Sequence, residues 1–266
     1  MKKKYLVIGN PIEHSLSPEL HNYWIKSNNL DAIYEKKKLE VSELENLVSN
    51  IKEMKLNGAN VTVPFKKKII PYLDQLSIEA KKTQSVNTIY LEENKVIGHN
   101  TDIDGFELGI KKTNFDFKNK KVFILGAGGV VSSIIYALNK MKVSNILISN
   151  RTKAKAEELK ILFKNLTILD WGEIPKFDII INATSVGLNQ NDQLKIDLSK
   201  AGNNKFFYDI IYNPKETNFL RIGKKLGNEI ENGKMMFIYQ ALAAFKIWHG
   251  FQPNITKDVI NILEND

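Results

Sequence analysis

Apolar positions along this chain fall into short unbroken runs and helix-spaced stripes, and their alternation predicts an α/β architecture. Residues 4–9, KYLVIG, read as a short buried strand. SPELHNYWIKSNNL reads as a helix with Ser17 as N-cap and Pro18 at the first helical position. AIYEKKKLE (32–40) predicts a second strand. SELENLVSNIKEMKLNG predicts a helix opened by a capping box, Ser42 and Glu45, and stopped at Gly58. ANVTVP is the next strand, and residues 87–102 predict a hairpin with Glu-Asn at its tip.

From residue 120 the pattern restarts. KKVFILGAGG is a strand running into a glycine turn, VVSSIIYALNKM a helix, SNILISNR a strand and KAKAEELKILFK a helix. FDIIINATSVG and NKFFYDIIYNP carry two more buried strands. NFLRIGKKLG is a helix ending at Gly227, and a long helix with an apolar stripe runs from about Met235 to Trp248. Strand, glycine turn, helix, strand is the grammar of a doubly wound nucleotide-binding domain. At 266 residues the chain exceeds most single cores, which predicts two domains, each built on a largely parallel sheet.

Composition narrows the chemistry. With no cysteine there is no disulfide, thiolate metal site or cysteine nucleophile, and the four histidines show no metal-ligand spacing. No apolar run reaches membrane-spanning length, and YLVIG is too short for the core of a signal peptide, so the expected location is the cytoplasm. The net charge of +8 suits an anionic small ligand or nucleic acid. Arg151 and Arg221 are the only arginines, and the lysines are scattered, which disfavours a nucleic-acid reader.

LGAGGVV places Gly126, Gly128 and Gly129 between a strand and a helix, where a backbone must turn sharply beside a pyrophosphate. A strict GxGxxG would put a third glycine where this chain has Val131. The next strand ends in SNRTKAKA, with no Asp or Glu to bind a ribose 2′-hydroxyl. Asn150, Arg151, Thr152 and Lys155 stand there instead, a set that fits a 2′-phosphate and points to NADP over NAD. In the first hundred residues Ser15, Ser17, Asn60, Thr62, Lys66, Asn87, Asn100 and Asp102 interrupt apolar strands. Hydroxyls, amides, one cation and one carboxylate at strand ends suit a polyhydroxylated carboxylate.

These segments, with NATSVG, YDIIYNPKETNFL and NGKMMFIYQALAAFKIW, run in the order found in shikimate dehydrogenases, which the chain closely resembles over almost its whole length. The resemblance implies reversible reduction of 3-dehydroshikimate to shikimate with NADPH, by a monomer or homodimer. It implies a substrate domain at residues 1–104, completed by C-terminal helices (236–266), and a Rossmann-like cofactor domain at 105–235. Lys66 and Asp102 would be the catalytic pair, with Lys66 a charged donor and Lys67 and Lys68 solvated. Ser15 and Ser17 would hold the substrate carboxylate. Thr62, Asn87 and Gln240 would contact ring hydroxyls with Asn60 close by, and Tyr212 would line the substrate side. Gly126, Ala127, Gly128, Gly129 and Val130 would receive the pyrophosphate. Asn150, Arg151, Thr152 and Lys155 would hold the 2′-phosphate. Thr184, Ile210, Gly233 and Met236 would lie along the cofactor. The chain departs from the usual pattern at VVSS after the glycine turn and at TQSVNT. The alternatives are an NAD-preferring quinate/shikimate dehydrogenase, a catalytically silent metabolite or nucleotide binder, and a basic nucleic-acid-binding protein.

Overall fold

The computed structural model describes residues 2–189 and 192–263, and the chain divides into two compact units. The first runs up to Gly105 and resumes at Ile238; the second spans Phe106–Phe237.

The first unit is built from β1 (Lys3–Gly9), α1 (Ser17–Ser27), β2 (Ala32–Lys38), α2 (Leu44–Lys52), β3 (Gly58–Val61), β4 (Gln75–Leu76), α3 (Ile78–Thr83), β5 (Thr88–Glu92) and β6 (Lys95–His99). Its sheet has the order β2-β1-β3-β5-β6-β4. β1 pairs in parallel with β2 and β3, whereas β3–β5 and β5–β6 are antiparallel. The hairpin turns at Glu93 and Asn94, both at positive φ (47° and 61°), the geometry that matches strand twist in a two-residue turn. Ile8, Val61, Ile89 and Val96 pack with Leu44, Leu47, Val48 and Ile51 of α2 in one apolar core.

Three local expectations are corrected. The N-cap of α1 is Leu16, with no side-chain cap; Ser17 is the first helical residue, and it is buried. The capping box lies at Glu40 and Glu43, because a 3₁₀ turn, Val41–Glu43, precedes α2. Gly58 does not stop α2, which ends at Lys52, but opens β3. A Cβ on Gly58 would stand 2.4 Å from Trp248 Nε1, so the glycine is there to admit an indole. That indole donates to Ile89 O at 3.1 Å and stacks on Tyr5.

α4 (Asp102–Lys111) leads into β7 (Lys121–Leu125), α5 (Val131–Lys140), β8 (Asn145–Ser149), α6 (Lys153–Leu162), β9 (Leu166–Leu169), β10 (Ile179–Asn182), β11 (Phe206–Asp209), α7 (Asn218–Lys225) and β12 (Glu229–Glu231). The second sheet is parallel in the order β12-β11-β10-β7-β8-β9. Strand order reverses between β7 and β10, and open α/β sheets bind ligands outside the carboxyl ends at such a reversal. α8 (Lys234–His249) and α9 (Lys257–Ile262) follow. β4, α3, β9, β12 and α9 carry too few periodic positions to be read from sequence. Among the described residues no helix is long and apolar enough to cross a membrane, and no group of three His, Asp or Glu could hold a metal.

Candidate active site

In the first unit, three polar segments that are far apart in sequence meet because β3, β5 and β6 are neighbours. Val61 N–H donates to Asn87 O, Asn87 N–H to His99 O, and Val86 N–H to Lys66 O. After β3 the chain makes one helical turn in which Phe65 and Ile69, four residues apart, enter the core. Lys67 and Lys68 therefore face outward and are exposed, while the Lys66 side chain is only 11 % exposed.

Lys66 Nζ donates to Asp102 Oδ2 at 2.5 Å. The other carboxylate oxygen accepts from Asn87 Nδ2 at 2.9 Å. Asp102 opens α4, where its own N–H is capped by Asn100 Oδ1 at 3.2 Å. The orientation of Asn87 follows from its partners. Thr101 N–H can only donate, and it reaches Asn87 Oδ1 at 2.7 Å, so the amide NH₂ faces Asp102 and, at 3.5 Å, Gln240 Oε1. Cation, carboxylate and amide are thus held in a fixed donor–acceptor sequence before any ligand arrives.

Asn60 is drawn into the framework. Its Oδ1 accepts from the Tyr34 hydroxyl at 2.6 Å and its Nδ2 donates to Asn87 O and Thr88 Oγ1, each at 3.0 Å. Burial pushes the Tyr34 hydroxyl well above the usual phenol range, against a smaller opposing pull from Ser17. Ser15 Oγ accepts from Ser17 N–H at 3.4 Å. Thr62 is half-buried, its methyl against Gly9. Tyr34, Thr88 and Thr101 were missed by sequence reading, because each looks like an ordinary strand or cap residue until its partners are known.

In the second unit Gly126 follows β7 with φ +107°, and a Cβ there would stand 2.8 Å from Ala183 O. Ala127, Gly128 and Gly129 complete the turn, and Val130 is the N-cap of α5 with no side-chain cap. The first amides of α5 are therefore not covered by a capping side chain, as an anion-binding helix terminus requires. At the end of β8, Asn150 Nδ2 holds Thr152 O at 2.7 Å. Lys153 is paired with Asp170. Arg151 and Lys155 are exposed and form no ion pair among the described residues. Two uncompensated cations beside a carboxylate-free strand end fit a nucleotide carrying a 2′-phosphate.

The Thr184 hydroxyl donates to Asn182 Oδ1 at 2.7 Å and accepts from Val186 N–H. Gly233 packs on Ile210, whose carbonyl oxygen would be 2.0 Å from any Cβ there. Met236 is buried beside Gly109, and the Tyr212 ring lies 4.5 Å from that of Phe237.

Two family models match the chain: a shikimate dehydrogenase substrate binding domain over residues 7–89 and a shikimate / quinate 5-dehydrogenase over residues 107–218. A shikimate dehydrogenase (NADP(+)) of Pelagibacter ubique is 58% identical over 264 residues, 99% of this chain and 100% of that one. The crystal structure of shikimate dehydrogenase from Aquifex aeolicus superposes with a TM-score of 0.90 at 37% identity, covering 100% of this chain and 98% of that one. A shikimate dehydrogenase solved in complex with NADP+ gives 0.91 at 34% identity, covering 99% and 95%.

Proposed function

The chain belongs to the shikimate dehydrogenase family, and from that premise we infer how its own side chains divide the reaction. It catalyses the reversible reduction of 3-dehydroshikimate to shikimate, a step of aromatic biosynthesis, with NADP as cofactor. The first unit takes the substrate and the second the nucleotide. The observation that carries this division is the Lys66–Asp102–Asn87 constellation at the ends of adjacent strands.

Bound NADPH supplies the hydride that reaches the ketone carbon. As that carbon gains electrons, negative charge develops on the carbonyl oxygen, and a preorganised donor there lowers the barrier. Lys66 holds a proton at Nζ and passes it to this oxygen, which becomes the new hydroxyl. Asp102 holds the lysine by its Oδ2 and accepts from a ring hydroxyl. Asn87, its NH₂ turned inward, donates to a ring hydroxyl, with Thr62 and Gln240 beside it. Ser15 and Ser17 bind the carboxylate. Asn60 acts through Asn87 and Thr88, to which its amide is committed. Tyr212 borders the substrate.

For the nucleotide, the turn Gly126–Val130 and the start of α5 bind the pyrophosphate, and Asn150, Arg151, Thr152 and Lys155 the 2′-phosphate. Thr184, Ile210, Gly233 and Met236 lie along the rest. The Thr184 hydroxyl proton is spent on Asn182, so this residue offers the cofactor its methyl or carbonyl rather than a hydroxyl donor. The reading places the enzyme in the cytoplasm as a monomer or homodimer acting on a small molecule. The test is a steady-state assay of shikimate with NADP, with quinate and NAD as the crossed controls. Comparable turnover with quinate and NAD would overturn the substrate and cofactor assignment.

A further inference from the structure

One buried carboxylate has no part in the chemistry above. Asp209 closes β11, is fully buried, and accepts bonds from three directions. Its Oδ1 takes Ile211 N–H at 3.0 Å, and its Oδ2 takes the Thr217 hydroxyl at 2.6 Å. Both oxygens lie 3.1 Å from Asn182 Nδ2 at the end of β10. Asn182 carries the link onward: its Nδ2 also donates to Val186 O at 3.1 Å, and its Oδ1 accepts the N–H and hydroxyl of Thr184. Burying a carboxylate is unfavourable unless its oxygens are satisfied, and here donors answer both. Burial pushes its carboxyl up to about 6, against the pull of its bonds from Thr217, Ile211 and Asn182.

The end of β10 borders the strand-order reversal on its carboxyl side, where this class of sheet seats a nucleotide, and β11 pairs with β10 on the side away from it. We propose that Asp209 is a positioning residue for the cofactor, a four-bond clamp that sets the spacing between the Thr184–Val186 loop and the Ile210–Tyr212 segment. The inference rests on the assignment of the second unit to NADP. All partners of Asp209 point donors at it, so an amide in its place turns an NH₂ against donors and forces one loop away. The part of the nucleotide common to NADPH and NADH is what the clamp serves. Loss of the clamp should weaken both cofactors by the same factor, in contrast to loss of a 2′-phosphate contact.

The experiment measures KM for NADPH, NADH and shikimate, with kcat and thermal midpoint, in Asp209→Asn, Arg151→Ala and the wild type. Asp209→Asn is expected to raise KM for NADPH and NADH alike by about tenfold, the equivalent of one badly unsatisfied buried donor, and to move shikimate KM by less, through Tyr212 at the end of the clamped segment. The exchanged pair Asn182→Asp/Asp209→Asn returns a carboxylate to the network and should recover part of that loss. If Asp209→Asn does not fold, Thr217→Val, which removes one of the four bonds, carries the same expectation at smaller amplitude. A lowered thermal midpoint with unchanged cofactor KM values would make Asp209 merely structural and overturn the proposal. A loss confined to NADPH would also overturn it. Should Arg151→Ala leave the NADPH-to-NADH ratio unchanged while Asp209→Asn raises both KM values, the 2′-phosphate assignment fails and the clamp stands.

Discussion

Of three consecutive lysines only Lys66 turns inward, because Phe65 and Ile69 bind the same helical turn to the core and leave Lys67 and Lys68 outside. This makes the residue-scale prediction sharp. Lys66→Ala should lower kcat on the order of 10²–10³-fold while leaving NADPH affinity intact, since a donor used mainly in the transition state shows up in kcat. Lys67→Ala and Lys68→Ala should be nearly silent in the same assay. Asp102→Asn should also lower kcat, and the double variant should cost less than the sum of the singles, because the two act as one unit. Equal damage from all three lysines would show that the wrong residue carries the proton. On the cofactor side, Arg151→Ala should raise KM for NADPH by about ten- to a hundredfold and leave KM for NADH unchanged, the size expected for a lost charged hydrogen bond. Arg151 stands out in the sequence as an arginine where an acid would select NAD, whereas Lys66 is singled out among the three lysines through the resemblance to shikimate dehydrogenases.

At the scale of elements, Gly58 shows where the sequence misleads. A glycine after a helical stripe reads as a helix stop. In the fold it is a strand residue whose missing Cβ makes room for Trp248 of α8. Gly58→Ala should therefore destabilise the protein by about 1–3 kcal/mol through overpacking, read as a lower denaturant midpoint with an unchanged slope. A neutral or stabilising alanine would mean that the indole moves aside easily. The hairpin tip, the glycine turn and the long helices came through from sequence because each has a strong local signal. The short edge strands β4, β9 and β12 did not, since pairing alone makes them strands.

For the whole molecule, pH tests the balance of buried ionisable groups. Burial drives His21 down to about 3, aided by the charge of His249, and burial with the Lys3 charge takes His249 to about 4. Between pH 6.5 and those values the folded state binds fewer protons than the unfolded chain. The stabilising contribution is complete above pH 6.5 and is lost as pH falls through about 4 and then 3. Asp209 acts in the opposite sense, its contribution present below its ordinary 3.8 and lost as pH rises through about 6. Burial also lowers His99 and raises Glu231, so three histidines against two carboxylates predict a thermal midpoint that falls from pH 6.5 to 4. His21→Phe, which keeps a ring against Tyr34 and gives up a buried Nε2 that has no hydrogen-bond partner among the described residues, should flatten the slope. A wild-type midpoint that holds steady to pH 4 would contradict the sign.

With Lys66 and Asp102 singled out only through the family resemblance, the sequence by itself determined the alternation of strands and helices, the glycine turn and the basic end of β8. All of these rest on local periodicity or on residue types within one segment. Tertiary structure alone decided which polar groups remain available to a ligand. Asn60 reads as a substrate contact in isolation, yet its amide is committed to Tyr34, Asn87 and Thr88. Thr184 reads only as lying along the cofactor, yet its hydroxyl proton goes to Asn182, and Asp209 lies unremarked inside a segment read as a buried strand, yet it ties two strand ends together. The reason is physical. Periodicity encodes which side of an element is buried, but hydrogen-bond partners are fixed by which strands lie side by side, and strand order is not written in any one of them.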